Sequence, residues 1–194
     1  MAVNNNEREG LLAIGTLLSN GKYRIEQYLS SGGFGNTYVA TDLAFDEKVA
    51  IKELYIKGVC GRNEATNEVA ITLTENQRTF EAQREKFRKE ARRLRRLSNA
   101  HIVKVHDLFD ENGTSYYVMD FIEGESLGAR IKRMGHPMSP ADVMLTLPQI
   151  LDALETVHND GIWHLDMKPG NIMIDRKGNI QLIDFGASKQ MKAG

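Results

Sequence analysis

Cysteine is almost missing from this chain: Cys60 is the one copy among 194 residues. A single thiol excludes an internal disulfide framework and suits a reducing compartment, so a cytoplasmic location is the expectation. An excess of charge of one sign is missing too. The 25 Lys and Arg against 26 Asp and Glu leave a formal net charge of −1. That balance gives no general attraction to nucleic acid or to an anionic membrane, and neither is expected as a partner. Long hydrophobic runs are also lacking. The longest apolar-leaning stretch, Leu11 to Leu18, is broken by Gly15 and Thr16 and cannot span a bilayer. The opening residues MAVNNNEREG are polar and carry no secretory hydrophobic core. His101, His106, His136 and His158 show no metal-ligand spacing with Cys60, so no zinc site is expected.

What is present supports a folded chain. With 41% hydrophobic content, a chain of this length can bury about 70% of its unfolded surface. Residues 1–22 read as a mobile or loosely packed extension. From Tyr23 the pattern alternates at period two: YRIEQYLS, a turn at SGGFG, then NTYVATD, which predicts a hairpin with a glycine-rich turn. KVAIKEL, from Lys48 to Leu54, reads as a third strand. Residues 55–77 read as an insertion, polar apart from a short apolar patch at Val69 to Leu73, and serve either as a regulatory insert or as a tolerated surface excursion. A helix is predicted over about Thr79 to Leu97, where Phe87, Ala91, Leu94 and Leu97 form one apolar stripe. The basic run RKEARRLRR within it reads as the solvated side of a packed helix.

Strands over Ile102–Phe109 and Ser115–Ile122 flank a turn at Glu111-Asn112-Gly113. A short helix is expected from Ser126 to Met134. Ser139-Pro140 then supplies a cap and a first-turn proline for a longer helix ending before Gly161. Pro148 inside that helix should cost about 3 kcal/mol or force a kink. Ile172–Ile174 and Ile180–Ile183 read as short strands joined through Lys177-Gly178-Asn179. The class is α+β, strand-rich first and helical second.

Two strings carry chemistry, HLDMKPGN from His164 to Asn171 and DFG from Asp184 to Gly186. Together they hold what phosphoryl transfer from a nucleotide requires. Asp166 can accept a proton from a hydroxyl, Lys168 can neutralise a moving phosphoryl group, and Asn171 with Asp184 offers hard oxygen ligands for Mg²⁺. Ser30-Ser31-Gly32-Gly33-Phe34-Gly35 is nearly a G-x-G-x-x-G loop, with Ser30 in place of the first glycine. The segment after it alternates at period two instead of opening a helix, which disfavours a dinucleotide crossover and favours a hairpin turn over phosphates. Gly32 and Gly35 would let backbone N–H groups approach anionic oxygen. Lys52 lies in an apolar strand and needs an anion. Glu90 falls within the arc of Phe87, Ala91, Leu94 and Leu97, so its carboxylate points to the core and needs a cation. The two are expected to pair.

These motifs resemble those of bacterial eukaryotic-type (Hanks-type) Ser/Thr protein kinases, continuously from about Tyr23 to Lys189: the glycine-rich turn, V-A-I-K, F-R-K-E-A, YYVMDFIEG, H-x-D-x-K-P-x-N and D-F-G. The resemblance implies a two-lobed fold, with an antiparallel-sheet N-lobe plus one main helix and an incomplete, mainly helical C-lobe. It implies lobes at 23–122 and 123–194 after the 1–22 extension. ATP and Mg²⁺ are the implied cofactors, and a protein Ser/Thr hydroxyl is the implied acceptor. By the same resemblance Met119 is the gatekeeper, the backbone of Asp120 and Ile122 bonds adenine, and Leu29, Thr37, Ala50 and Met173 sandwich the base. Thr37 stands where the family usually has valine. Leu94, Val105, His164 and Phe185 would form the spine linking the lobes. Lys168-Pro169 resembles the Ser/Thr group more than the tyrosine-specific one.

Two departures from the family pattern set further expectations. Leu165 replaces the arginine that pairs with an activation-loop phosphate, so activity should not depend on that phosphorylation. The family's peptide-docking segment, A-P-E motif and later helices would follow Lys189, whereas this sequence closes at Gly194. Low or no protein-kinase turnover is expected of 1–194 alone. A noncatalytic nucleotide-binding or scaffold module is the alternative.

Overall fold

Two apolar side chains decide the course of residues 10–22. Leu12 and Leu18 are 5% and 0% exposed, and strand β1 (Leu17–Leu18) pairs antiparallel with β2 (Tyr23–Gly32). The expectation of a mobile or loosely packed extension therefore fails for 10–22. The cause is tertiary, because the partners of Leu12 and Leu18 in this core, Tyr38, Ile51, Tyr116 and Val118, lie far along the chain. The computed structural model describes residues 10–187 and 189–190, of Gln190 the backbone alone. Residues 1–9 of the expected extension lie outside the described residues.

The chain divides into two units, one taking residues up to Ala91 with Val105–Phe121, the other Arg92–Lys104 with the chain from Ile122 onward. Residues 92–104, expected in the first lobe, thus group with the second. In the first unit β1 and β2 are followed by β3 (Gly35–Asp42), β4 (Glu47–Leu54) and the small antiparallel pair β5 (Cys60–Arg62) and β6 (Val69–Ile71). Helix α1 (Gln77–Arg96) comes next, its residues from Arg92 onward grouping with the second unit, then β7 (Val105–Glu111) and β8 (Thr114–Asp120). The main sheet has the order β1-β2-β3-β4-β8-β7 with antiparallel neighbours throughout.

Period-two alternation gives this sheet two buried faces. Tyr38, Ala40, Val49, Ile51, Tyr116 and Val118 pack with Leu12, Leu18, Tyr23 and Ile25 on one of them. On the other, Tyr117 meets Phe87 of α1 at a ring separation of 4.9 Å. The expected helical stripe is buried at Phe87, Ala91, Leu94 and Leu97, while Lys89, Arg92, Arg95 and Arg96 are exposed.

The insertion at 55–77 is exposed along much of its length but is anchored to the sheet. Cys60 and Val69 are buried, Val69 N–H donates to the Asn112 carbonyl at 2.8 Å, and the Arg62 side chain is 2% exposed.

The second unit carries β9 (Gly124–Ser126), α2 (Leu127–Met134), α3 (Pro140–Asn159), β10 (Ile162–Trp163), β11 (Ile172–Asp175), β12 (Ile180–Leu182) and β13 (Lys189–Gln190). Ser126 caps α2 by accepting from Ala129 N–H at 3.0 Å, and Gly135 ends it at φ 71°. Ser139 caps α3, accepting from Asp142 N–H at 3.1 Å. Pro148 does not end that helix, and its side chain is exposed. Strands β12-β11-β9 form a small sheet, and Val103 N–H extends its edge to the Leu182 carbonyl at 2.9 Å. Among the described residues no helix is long and apolar enough to cross a membrane.

Candidate active site

The glycine turn joins β2 to β3, with Gly32 opposite Gly35. A Cβ at Gly35 would stand 2.3 Å from the Glu53 carbonyl oxygen, so only glycine fits beside β4 there. At Gly32 and Gly33 nothing lies within 4 Å of such a Cβ. Gly32 and Gly35, expected to act alike, therefore differ: Gly35 admits the neighbouring strand and Gly32 leaves the turn open. Ser30 faces Thr37 across the hairpin, Ser31 faces Asn36, and Phe34 at the tip is 60% exposed. Leu29, 42% exposed, sits at a register shift between Tyr28 and Ser30.

Strand register places Thr37 opposite Lys52, Ala50 opposite Met119, and Lys52 opposite Tyr117. These side chains share the α1 face of the sheet. There Lys52 Nζ lies 3.2 Å from Glu90 Oε1, with exposures of 20% and 6%. Tyr117 Oη donates to the same Glu90 oxygen at 3.1 Å, and its ring centroid is 5.5 Å from Lys52 Nζ. The expected ion pair is present, and the tyrosine is its third member. Asp120 ends β8 with its carboxylate 2.5 Å from His106 Nε2.

Sequence reasoning missed a second buried carboxylate, one residue beyond Lys52. Glu53 is 0% exposed and takes four donors: Asn36 Nδ2 at 3.2 Å and Tyr38 Oη at 2.9 Å on one oxygen, Tyr116 Oη at 2.8 Å and Arg62 Nη2 at 2.5 Å on the other. Four donors saturate a carboxylate. Burial and then the Glu53 charge push the Tyr38 and Tyr116 hydroxyls well above their ordinary values, so both stay protonated as donors. Burial works most strongly on the Arg62 guanidinium and lowers it, but the charge and hydrogen bond of Glu53, with smaller help from Tyr116 and Tyr38, together keep Arg62 above its ordinary value. A signal was available: Val49, Ile51 and Glu53 recur at period two, which puts a carboxylate in an apolar row.

In the second unit the loop 164–171 follows β10. His164 is 3% exposed, its ring meets Phe185 edge-on at 4.6 Å, and its Nδ1 accepts from Asp166 N–H at 3.3 Å. That anchors the loop immediately before the proposed base. Asp166 Oδ2 lies 3.0 Å from Lys168 Nζ and accepts from Asn171 Nδ2 at 3.0 Å. The hydrogen bond from Lys168, then that from Asn171, holds the Asp166 carboxyl below the ordinary aspartate value. Asn171 Nδ2 also bonds the Asp166 carbonyl at 2.9 Å, which leaves Oδ1 as the oxygen that can face a cation. Ile183 N–H donates to the Asn171 carbonyl at 3.1 Å, bringing Asp184 next to Asn171. An amide oxygen beside a carboxylate fits Mg²⁺, which takes few protein ligands and completes its shell with phosphate and water. Leu165 has φ 64° and is 58% exposed. Ile122 and Met173 also belong to this unit, Met173 lying opposite Gln181 and Ser126.

A protein kinase domain model matches residues 23–194. The chain belongs to the protein kinase family. Among its kinase relatives, Serine/threonine-protein kinase PrkC of Bacillus subtilis is 32% identical over 182 residues, covering 94% of this chain and 25% of that protein. Serine/threonine-protein kinase PknA of Mycobacterium tuberculosis is 32% identical over 185 residues, covering 93% of this chain and 38% of the relative. The solved structure "PpkA-294 apo form" superposes with a TM-score of 0.86 at 29% identity, over 91% of this chain and 62% of that one. The kinase fold, α+β with an antiparallel N-lobe sheet and its helix, is therefore shared. The chain spans well under half the length of these curated kinases.

Proposed function

We propose that this chain carries the nucleotide-binding and catalytic-loop residues of a protein kinase whose reaction transfers the γ-phosphoryl group of ATP to a serine or threonine hydroxyl of a protein. The hydroxyl oxygen forms a bond to the γ-phosphorus as the bond to the ADP oxygen breaks, and the hydroxyl proton passes to Asp166. Lys168 offsets charge on the phosphoryl oxygens. Lys52, aimed by Glu90 and Tyr117, holds nucleotide phosphate, and the turn from Ser30 to Gly35 covers it. Leu29, Thr37, Ala50, Met119 and Met173 contact the base, with the backbone of Asp120 and Ile122 bonding it. Asn171 and Asp184 hold Mg²⁺, which neutralises phosphate charge when bound.

The observation that carries the reading is the Asp166 carboxylate, held by Lys168 and Asn171 at 3.0 Å each. An aspartate kept ionised beside a cation is suited to accept a proton where negative charge is moving. Radiolabel transfer from γ-labelled ATP to a protein substrate tests it, comparing wild type with Asp166→Asn. Transfer in the wild type that vanishes in the variant, with ATP binding retained, supports the reading. Binding without transfer in the wild type would favour the noncatalytic module.

A further inference from the structure

The Glu53 cluster lies on the sheet face opposite Lys52, so the nucleotide reading leaves it unused. We infer that Arg62 and Asn36 are positioning residues for the glycine turn, acting through Glu53, and that residues 55–77 thereby help set nucleotide affinity. This rests on the ATP reading above.

The chain of contacts is continuous. Arg62 is anchored by the Gly10 carbonyl at 2.9 Å and the Asn67 carbonyl at 2.8 Å, and it reaches Glu53 at 2.5 Å. Glu53 accepts from Asn36 Nδ2 at 3.2 Å, and Asn36 Oδ1 accepts from Ser31 Oγ at 2.6 Å. Ser31 and Asn36 are the residues that bracket Gly32–Gly35 in the hairpin. The path thus ends at the base of the turn.

Its chemistry favours positioning over stability. A buried ion pair is often no better for stability than apolar side chains of the same volume, but it accepts one geometry only. Here every acceptor position of Glu53 is filled, so Asn36 has a single placement. With its Nδ2 committed to Glu53, the Oδ1 of Asn36 is turned to Ser31. The hairpin ladder alone would leave the open Gly32-Gly33 segment free to vary. Arg62 comes from the excursion between β4 and α1, which gives that excursion a route to the turn.

Amide hydrogen exchange of the full chain tests this, alongside ATP affinity by calorimetry. Arg62→Met should raise exchange in Gly32–Gly35 by about 3- to 10-fold, the weight of one hydrogen bond, with a similar loss of ATP affinity. Arg62→Lys should restore most of both. Ser31→Ala, a change at an exposed site, covers the case in which Arg62→Met does not fold. It should show the same local increase, with β8 unchanged. Wild-type exchange in the turn of a folded Arg62→Met protein, or in Ser31→Ala, overturns the inference. Absence of ATP binding in the wild type would refute the ATP reading, while exchange in the turn would still decide the positioning.

Discussion

Lys52 and Glu53 are adjacent on β4, face opposite sides of one sheet, and each closes an ion pair with a distant side chain. Lys52 meets Glu90 of α1 at 3.2 Å, and Glu53 meets Arg62 at 2.5 Å. The two pairs differ in burial. Lys52 keeps 20% of its side chain exposed, whereas Arg62 and Glu53 keep 2% and 0%. Strand β4 is therefore held from both faces by charge at the point where it lies against the glycine turn.

The difference in burial sets a ranking of mutational cost. Arg62→Ala leaves a carboxylate inside the sheet core and should cost about 3–5 kcal/mol. Arg24→Ala, which breaks the exposed pair with Glu26, should cost less than about 1 kcal/mol. Urea denaturation measures both; equal midpoints for the two variants would contradict the ranking.

Lys52→Met separates binding from folding. ATP affinity should fall at least tenfold, while stability drops by about 1–3 kcal/mol because Tyr117 still donates to Glu90. Calorimetric titration with ATP and thermal unfolding give the two numbers. Retained affinity would remove Lys52 from the phosphate site.

Asp166 should be ionised throughout about pH 5–8. Its proton affinity is lowered first by Lys168, so acid must go below the ordinary aspartate range to protonate it. Lys168→Ala removes the chief cause, and the titration midpoint should move upward. Carbon-13 NMR of the labelled carboxyl follows this directly; a midpoint unchanged in the variant would show that Lys168 does not set it. Asp166→Asn should lower kcat by about 10²–10⁴ with ATP affinity intact.

The glycines of the turn should not be equivalent. Gly35→Ala drives a Cβ against the Glu53 carbonyl oxygen, 2.3 Å away, and should cost about 1–3 kcal/mol. Gly33→Ala meets nothing within 4 Å and should stay within about 0.5 kcal/mol of wild type. Denaturant midpoints of the two variants distinguish them.

Leu165 sits at φ 64°, where a leucine side chain is strained. Leu165→Asn should gain up to about 1 kcal/mol, because asparagine tolerates this conformation. A fall in melting temperature would show that the exposed leucine contributes packing that outweighs the strain.

Much of the fold was legible because it is local. The hairpin, the α1 stripe and the serine cap at Ser139 each follow from residues within a few positions of one another. Glu90 was legible for the same reason: its place on the helical wheel marks it as inward whatever it meets. The start of α1 at Gln77 instead of Thr79 is a fraying-scale difference, set by the tight turn at Thr74–Asn76 that feeds it. Residues 10–22 were not legible, since two leucines without periodicity do not announce a partner. Arg62 was hidden similarly, in a polar stretch that reads like any exposed loop.

The amino-acid order by itself determined which chemical groups exist and which side of each strand or helix they occupy, because backbone geometry repeats every two or 3.6 residues. It placed Asp166, Lys168 and Asn171 in one short loop, where proximity along the chain guarantees proximity in space. Which charge meets which was decided only by the tertiary structure. Burial makes an unpaired ion costly, and the chain relieves that cost with whatever opposite charge its topology brings near. For Glu53 the topology delivered Arg62, with two tyrosines and an asparagine, from three separate strands, β3, β5 and β8.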